Sequence, residues 1–207
     1  GMVPLFYHPD LEVAKKVVAA LAAGGARVVE LANRGDRAFE VFGDLLTFAA
    51  RETPDLVLGI GSVLDVPTAG LYINLGANFV VGSVLNPEVA RLCNRRKIAY
   101  FPGCATPSEI SAAEELGVEI CKVFPAAELG GPSFVKAVTA PTPWTKIMPT
   151  GGVDPTYENL RGWFEAGVAC VGMGSRLVRA DWVKAGNWQA ITELTAQCLA
   201  WIQELRG

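Results

Sequence analysis

Three residues of this chain have the types and spacing to act together on a carbonyl compound: Lys122, Glu30 and Arg34. Lys122 sits in Glu119-Ile120-Cys121-Lys122-Val123-Phe124-Pro125, a short apolar run that reads as a buried strand. Lysine is rarely fully buried unless something pairs with it or uses it. Desolvation disfavours the ammonium and lowers its pKa. A neutral amine at a strand end can add to a carbonyl and form a Schiff base. The plain alternative is a lysine whose ammonium reaches water. Glu30 lies near the end of Arg27-Val28-Val29-Glu30-Leu31, where a carboxylate facing Lys122 could shuttle protons. The alternative there is a structural Glu–Lys ion pair. Arg34 follows in the loop Ala32-Asn33-Arg34-Gly35. A guanidinium can grip a carboxylate bidentately, and its charge would help to keep Lys122 neutral. By itself a loop arginine is usually just solvated.

Three glycine-bearing turns accompany them. Gly59-Ile60-Gly61-Ser62-Val63-Leu64 offers backbone that a ligand can approach and the hydroxyl of Ser62. Pro149-Thr150-Gly151-Gly152-Val153 leads into a helix expected to begin near Asp154-Pro155, and Gly172-Met173-Gly174-Ser175 follows a later strand. The last two turns, both at strand ends, read as a site for phosphate or a similar anion, held by backbone N–H groups and a helix N-terminus.

Positioning these residues requires alternating strands and helices. Eight apolar runs read as strands: Val3–Tyr7, Arg27–Leu31, Val57–Gly61, Phe79–Gly82, Ala99–Phe101, Ile120–Phe124, Lys146–Met148 and Ala169–Gly172. Leu11–Ala23, Arg37–Glu52, Pro87–Asn94, Pro107–Leu116 and Tyr157–Ala166 carry apolar residues at helical spacing. Gly24-Gly25, Gly76, Gly117 and Gly167 stand where helix C-caps belong. Eight units of roughly 25 residues predict a single-domain α/β (β/α)8 TIM barrel over residues 1–207, with an open doubly wound sheet as the alternative. A C-terminal helix over about 176–206 is expected to pack on the barrel through Trp182, Trp188 and Trp201. In a barrel the reacting groups sit at the C-terminal ends of the strands. Strands two and six are opposite each other, so alternation brings Glu30 and Lys122 together if both point inward. Lys146 and Lys97 fall at strand starts, and Lys15, Lys16, Lys136 and Lys184 fall in helical or surface segments. Lys122 alone is placed for chemistry.

Composition narrows the function. A net charge of −3 supplies no basic field for nucleic acid or an anionic membrane. No apolar run reaches the ~20 residues that span a bilayer. The N-terminal residues lack the pattern of a signal peptide, and Gly1 before Met2 reads as a tag remnant. The five cysteines, Cys93, Cys104, Cys121, Cys170 and Cys198, are odd in number and widely spaced. They form neither a disulfide framework nor a CxxC metal pattern, which points to the cytoplasm. With His8 as the single histidine, a zinc hydrolase or a histidine-based triad lacks its parts.

Glu30 with Arg34, GIGSVL, FPGCATPSEI, CKVFPA with Gly130-Gly131, and MPTGGV together resemble the 2-keto-3-deoxy-6-phosphogluconate (KDPG) and 4-hydroxy-2-oxoglutarate (KHG) aldolase family. The resemblance runs from about Val3 to Val178. It implies a class I aldolase that uses neither metal nor cofactor and assembles as a homotrimer of small barrels. By that likeness Lys122 is the Schiff-base lysine, Glu30 the general acid/base, and Arg34 the grip on the pyruvyl carboxylate. Thr150, Gly151, Gly152, Gly174 and Ser175 lie where the family binds the substrate phosphate. The implied ligands are small molecules, pyruvate and a phosphorylated aldehyde, with no nucleic acid and no membrane. The chain departs from the family at several points. Ser62 replaces the usual threonine of GxGTVL, and Val81-Gly82-Ser83-Val84 stands for a Ser-Pro-Gly turn. Asn33-Arg34-Gly35 stands for Leu-Arg-Thr, and Gly-Met-Gly-Ser for Gly-Gly-Ser. Two rival readings remain. One is a phosphate-binding barrel without a Schiff base, an epimerase or a synthase of the thiamine-phosphate type. The other is a non-catalytic sugar-phosphate binding protein.

Overall fold

Strand and helix alternate along most of the computed structural model, which describes all 207 residues. In chain order the elements are β1 (Met2–Phe6), α1 (Leu11–Ala23), β2 (Val28–Ala32), α2 (Ala38–Glu52), β3 (Val57–Gly61), α3 (Val66–Leu75) and β4 (Phe79–Val81). There follow α4 (Pro87–Arg96), β5 (Ala99–Phe101), β6 (Gly103–Cys104), α5 (Pro107–Glu115), β7 (Cys121–Val123) and α6 (Pro132–Thr139). The chain closes with β8 (Ile147–Pro149), α7 (Tyr157–Glu165), β9 (Val171–Met173), α8 (Ala180–Ala185) and α9 (Trp188–Arg206).

Every strand pairing is parallel. The strands form a six-stranded sheet, ordered β5-β4-β3-β2-β1-β9, and a three-stranded sheet, ordered β6-β7-β8. The expected α/β architecture with parallel strands is present, its nine strands lying in two sheets rather than in one continuous eight-stranded ladder. The physical break is at Pro102, between β5 and β6. Proline has no N–H to donate to a ladder, so pairing breaks there, after the expected fifth strand Ala99–Phe101, which is β5, and β6 begins the second sheet, although the Pro102 carbonyl still accepts from Lys122 N–H at 3.0 Å. On the other side an isolated bridge between Thr150 and Gly172 links the two sheets.

Helix starts follow from side chains that accept the orphan N–H groups of the first turn. Asp10 accepts from Glu12 and Val13, Asp65 from Thr68, and Asn86 from Glu88 and Val89. Thr106 and Glu109 form a reciprocal capping box. The helix after the Gly151-Gly152 turn begins at Tyr157, where the helical spacing of Tyr157–Ala166 places it, and Thr156 caps it, its hydroxyl accepting from Asn159 N–H. The expected helix over 176–206 is two helices, divided where Gly186 adopts a left-handed C-cap. Trp182, Trp188 and Trp201 pack against the main core from this segment, as the sequence predicts.

Two apolar layers result. The larger lies between the strands and the helices that surround them and includes Val29, Leu31, Ile60, Val80, Val123 and Ile147. The smaller is enclosed by the strands themselves. Val3, Phe79, Val81 and Met148 form it, with Val28, Phe101, Ile120 and Cys170 packed on them. Phe79 and Phe101 meet edge to face, their ring centroids 5.7 Å apart. Gly59 leaves room for this floor, since a Cβ there would run into the Phe79 ring.

Candidate active site

Side chains two residues apart on a strand share a face. Val28 and Ile120 both pack on the inner cluster, so Glu30 and Lys122 stand on the same inner face, one step nearer the C-terminal ends of β2 and β7. In the ladders Glu30 pairs with Leu5 on β1 and Gly59 on β3, and Lys122 with Gly103 on β6 and Met148 on β8. Both side chains are buried, Glu30 at 2% and Lys122 at 6% exposure. Gly61 has a role that its place in a glycine-rich turn does not announce. A Cβ on Gly61 would occupy the position of the Glu30 carboxyl. Gly59 and Gly61 therefore make space for Phe79 and Glu30, where the sequence reading gave them to a ligand.

Burial pushes the Glu30 carboxyl up from its ordinary range, opposed by the charges of Lys122 and Arg34. Burial also pushes the Lys122 ammonium down; Glu30 opposes that shift and Arg34 adds to it. Both directions favour neutral groups: an uncharged amine near an acid that can carry a proton. Lys122 and Glu30 make neither an ion pair nor a hydrogen bond with each other, so the ion-pair alternative does not describe them. Lys122 Nζ lies 5.3 Å from the centroid of the Phe124 ring.

Phe124 also lines a cavity of about 950 Å³ on the C-terminal side of the strands. Arg34, Thr150, Gly151, Gly152, Gly174 and Ser175 line the same cavity, which brings six of the sequence-predicted site residues together. Lys122 and Glu30 are not part of its wall; Lys122 reaches it through its contact with Phe124, which is. Ser62 is not in the wall either; it adopts a left-handed backbone at φ 61°. Gly151 and Gly152, at φ 88° and 77°, hold a turn that few other residues would adopt. The carbonyls of Thr150 and Gly151 accept from Ala126 and Ala127, which fixes the turn, while the N–H groups of Gly151, Gly152, Gly174 and Ser175 have no acceptor within the protein. The buried Thr150 hydroxyl has no partner either.

The cavity holds two cations that sequence reasoning missed. Arg176 and Lys184 both line it, so Lys122 is not the only lysine near the site, and the anion turns are not free of basic side chains. Arg176 Nε stands 3.4 Å from Asp154 Oδ1, both in the cavity wall. The available signal was position: Arg176 directly follows Gly174-Ser175. No group of three or more His, Cys, Asp or Glu side chains is arranged to hold a metal ion. No helix is long and apolar enough to cross a membrane.

Comparison with known proteins gives a consistent result. The family described as KDPG and KHG aldolase matches residues 1–194. A 2-dehydro-3-deoxy-phosphogluconate aldolase from Pseudoalteromonas atlantica is 34% identical over 199 residues, 96% of this chain and 90% of that protein. A KHG/KDPG aldolase from Escherichia coli is 32% identical, with the same coverage of 96% and 90%. Among solved structures, KDPG aldolase from Legionella pneumophila, with pyruvate captured at low pH as a covalent carbinolamine, superposes with a TM-score of 0.86. It is 31% identical and covers 94% of this chain and 92% of that one.

Proposed function

The chain belongs to the KDPG and KHG aldolase family, and from that premise we propose that it is a class I aldolase. It reversibly cleaves a 2-keto-3-deoxy-6-phospho sugar acid to pyruvate and glyceraldehyde 3-phosphate. On the same chemistry it would cleave 4-hydroxy-2-oxoglutarate to pyruvate and glyoxylate. One observation carries the reading: a buried lysine and a buried glutamate, unpaired, face one interior with both pKa values pushed toward the neutral forms.

In the proposed reaction the neutral Nζ of Lys122 adds to the C2 ketone, and protonated Glu30 gives its proton to the departing hydroxyl of the carbinolamine, which leaves as water; an iminium and a Glu30 carboxylate remain. Glu30 takes the proton of the C4 hydroxyl. The C3–C4 bond breaks, its electron pair moves into the iminium to give an enamine, and the aldehyde departs. Glu30 returns the proton to C3, and water hydrolyses the pyruvate imine to release pyruvate and free Lys122. Acid–base assistance of this kind contributes typically 10²–10⁴-fold. Arg34, which makes no ion pair in the protein, takes the pyruvyl carboxylate. The free N–H groups of Gly151, Gly152, Gly174 and Ser175, with Thr150, take the distal phosphate, and Arg176 and Lys184 add side-chain charge there. Remote binding of this sort holds the reacting carbon in place. The iminium serves as the electron sink, so the scheme calls for no metal or cofactor. Ser62, like Lys122 and Glu30, lies outside the cavity wall, and its hydroxyl is offered to the bound keto acid.

We read the two sheets as arcs of one (β/α)8 barrel domain spanning residues 1–207. The Thr150–Gly172 bridge at one seam and the single residue Pro102 at the other support this. The family likeness supports a cytoplasmic homotrimer, and exposed Leu64, Leu71 and Val84 supply apolar surface for it. Light scattering at micromolar concentration should return three chains; a monomer would contradict it. The function itself is tested by pyruvate release from 6-phosphorylated 2-keto-3-deoxygluconate, its C4 epimer and 4-hydroxy-2-oxoglutarate, with and without EDTA. Release from at least one, undiminished by the chelator, is expected. Release from none, or activity restored only by a divalent ion, would overturn the reading.

A further inference from the structure

The loop that carries Arg34 is short and exposed, and Arg34 itself makes no ion pair, yet the loop is fixed from beneath. Asn33 N–H donates to the Gly61 carbonyl at 2.8 Å, extending the β2–β3 ladder by one residue. The Asn33 side chain accepts a hydrogen bond from the Tyr72 hydroxyl at 2.7 Å. Tyr72 comes from α3, is 1% exposed, and packs edge to face on the buried Phe42 of α2, centroids 5.3 Å apart. Its ring therefore has one place to be, and its single polar atom is spent on Asn33. Burial pushes the Tyr72 phenol up to about 12, with a contribution from Tyr7, so the hydroxyl stays protonated and donating through the working pH range. On the far side of Arg34, Gly35 turns at φ 85°, and a Cβ there would strike the Tyr7 hydroxyl. Tyr7 lines the same cavity as Arg34. The loop is thus pinned at Asn33 and shaped at Gly35, and only the guanidinium between them lacks a protein partner.

We propose that Tyr72 is a positioning residue for the 2-keto acid: acting through Asn33, it sets the Arg34 guanidinium at the height where the carboxylate of the bound keto acid arrives. This rests on the reading of Arg34 given above. It adds that carboxylate recognition depends on a buried hydroxyl that never touches substrate. A carboxylate–guanidinium pair loses strength steeply when its two parallel hydrogen bonds are misaligned, so freeing the loop weakens the grip without removing its charge.

The test is a double-mutant cycle read on pyruvate. Tyr72→Phe removes one oxygen and keeps the ring against Phe42. Half-saturation for borohydride trapping of pyruvate should rise about 3- to 10-fold, the range of one lost hydrogen bond. The maximal trapping rate should stay within about twofold, and so should kcat at saturating substrate. Asn33→Ala should repeat the effect from the other end of the bond. In an Arg34→Ala background Tyr72→Phe should have no further effect, since the group it positions is gone. A packing role would lower the thermal midpoint and leave half-saturation alone. Unchanged half-saturation in Tyr72→Phe, or the same fold-change with and without Arg34, overturns the proposal. If Arg34→Ala itself leaves half-saturation untouched, the carboxylate reading of Arg34 fails first, a result separable from failure of the Tyr72 link.

Discussion

The two ends of the candidate site are built on opposite plans. The reacting end consists of side chains, Lys122 and Glu30, each near the close of a central strand and each buried, with Gly61 leaving room for the Glu30 carboxyl. The anion end consists of backbone, the N–H groups of Gly151, Gly152, Gly174 and Ser175, flanked by the exposed cations Arg176 and Lys184. Burial at the first end shifts protonation and supplies reactivity. Exposure at the second leaves charge screened by water, useful for orientation and weak as an energy source. Substitutions at the reacting end should therefore cost rate with any substrate, and those at the anion end should cost affinity for phosphorylated substrates alone.

The largest effect is expected from Lys122→Met, which removes the nucleophile; pyruvate release should vanish with every substrate, and a variant that still turns over would dissolve the contrast. Next comes Glu30→Gln, which keeps size and removes proton transfer, with an expected loss of about 10²–10⁴-fold in kcat. Near-normal turnover would reduce Glu30 to a structural group. Gly61→Ala should follow. Its methyl falls where the Glu30 carboxyl lies, and a displaced catalytic group costs on the order of 10²-fold. The check is kcat together with retention of the fold by circular dichroism. At the anion end, Arg176→Ala should lower kcat/KM about 2- to 5-fold for the phosphorylated substrate, in the range of an exposed charge contact, and spare 4-hydroxy-2-oxoglutarate. Equal losses on both would mean that Arg176 serves the fold through Asp154. Gly152→Val is a poorer probe, because Gly152 sits at φ 77° and its Cβ would meet Ala127, so the turn itself would deform.

The pH dependence sharpens the same contrast. Adduct formation requires uncharged Lys122, so its rate rises with pH through a pKa below the ordinary 10.5 of lysine. Glu30 raises that pKa and Arg34 lowers it. Glu30→Gln should accordingly move the rising limb to lower pH, and Arg34→Ala should move it to higher pH. Stopped-flow measurement of imine formation across pH checks both signs; shifts in the same direction would mean that the three charges do not act on one another as described.

Lys122 and Glu30 were legible in the sequence because a charge inside an apolar strand is costly enough to demand a reason, and strand alternation then aimed them. The glycine turns were legible as turns, but the neighbours of Gly59 and Gly61 were not. Phe79 is twenty positions further along and Glu30 belongs to another strand, so only the fold brings them together. The start of α7 at Tyr157 was legible in its apolar spacing, while the cap hydrogen bond at Thr156 was not. The expected fifth strand Ala99–Phe101 is β5; β6 was not expected, and the break before it could have been read from Pro102, which lacks a donor. Arg176 and Lys184 stayed hidden because exposed cations near a short helix resemble ordinary surface until the cavity is seen.

Everything proposed for the reacting end depends on Lys122 being the amine that binds the keto acid. Incubation with pyruvate and borohydride, followed by intact-mass measurement and peptide mapping, tests it most directly. A single reduced adduct on the peptide containing Lys122 is expected, absent from Lys122→Met. No adduct, or an adduct on Lys184 or Lys146, would contradict the claim.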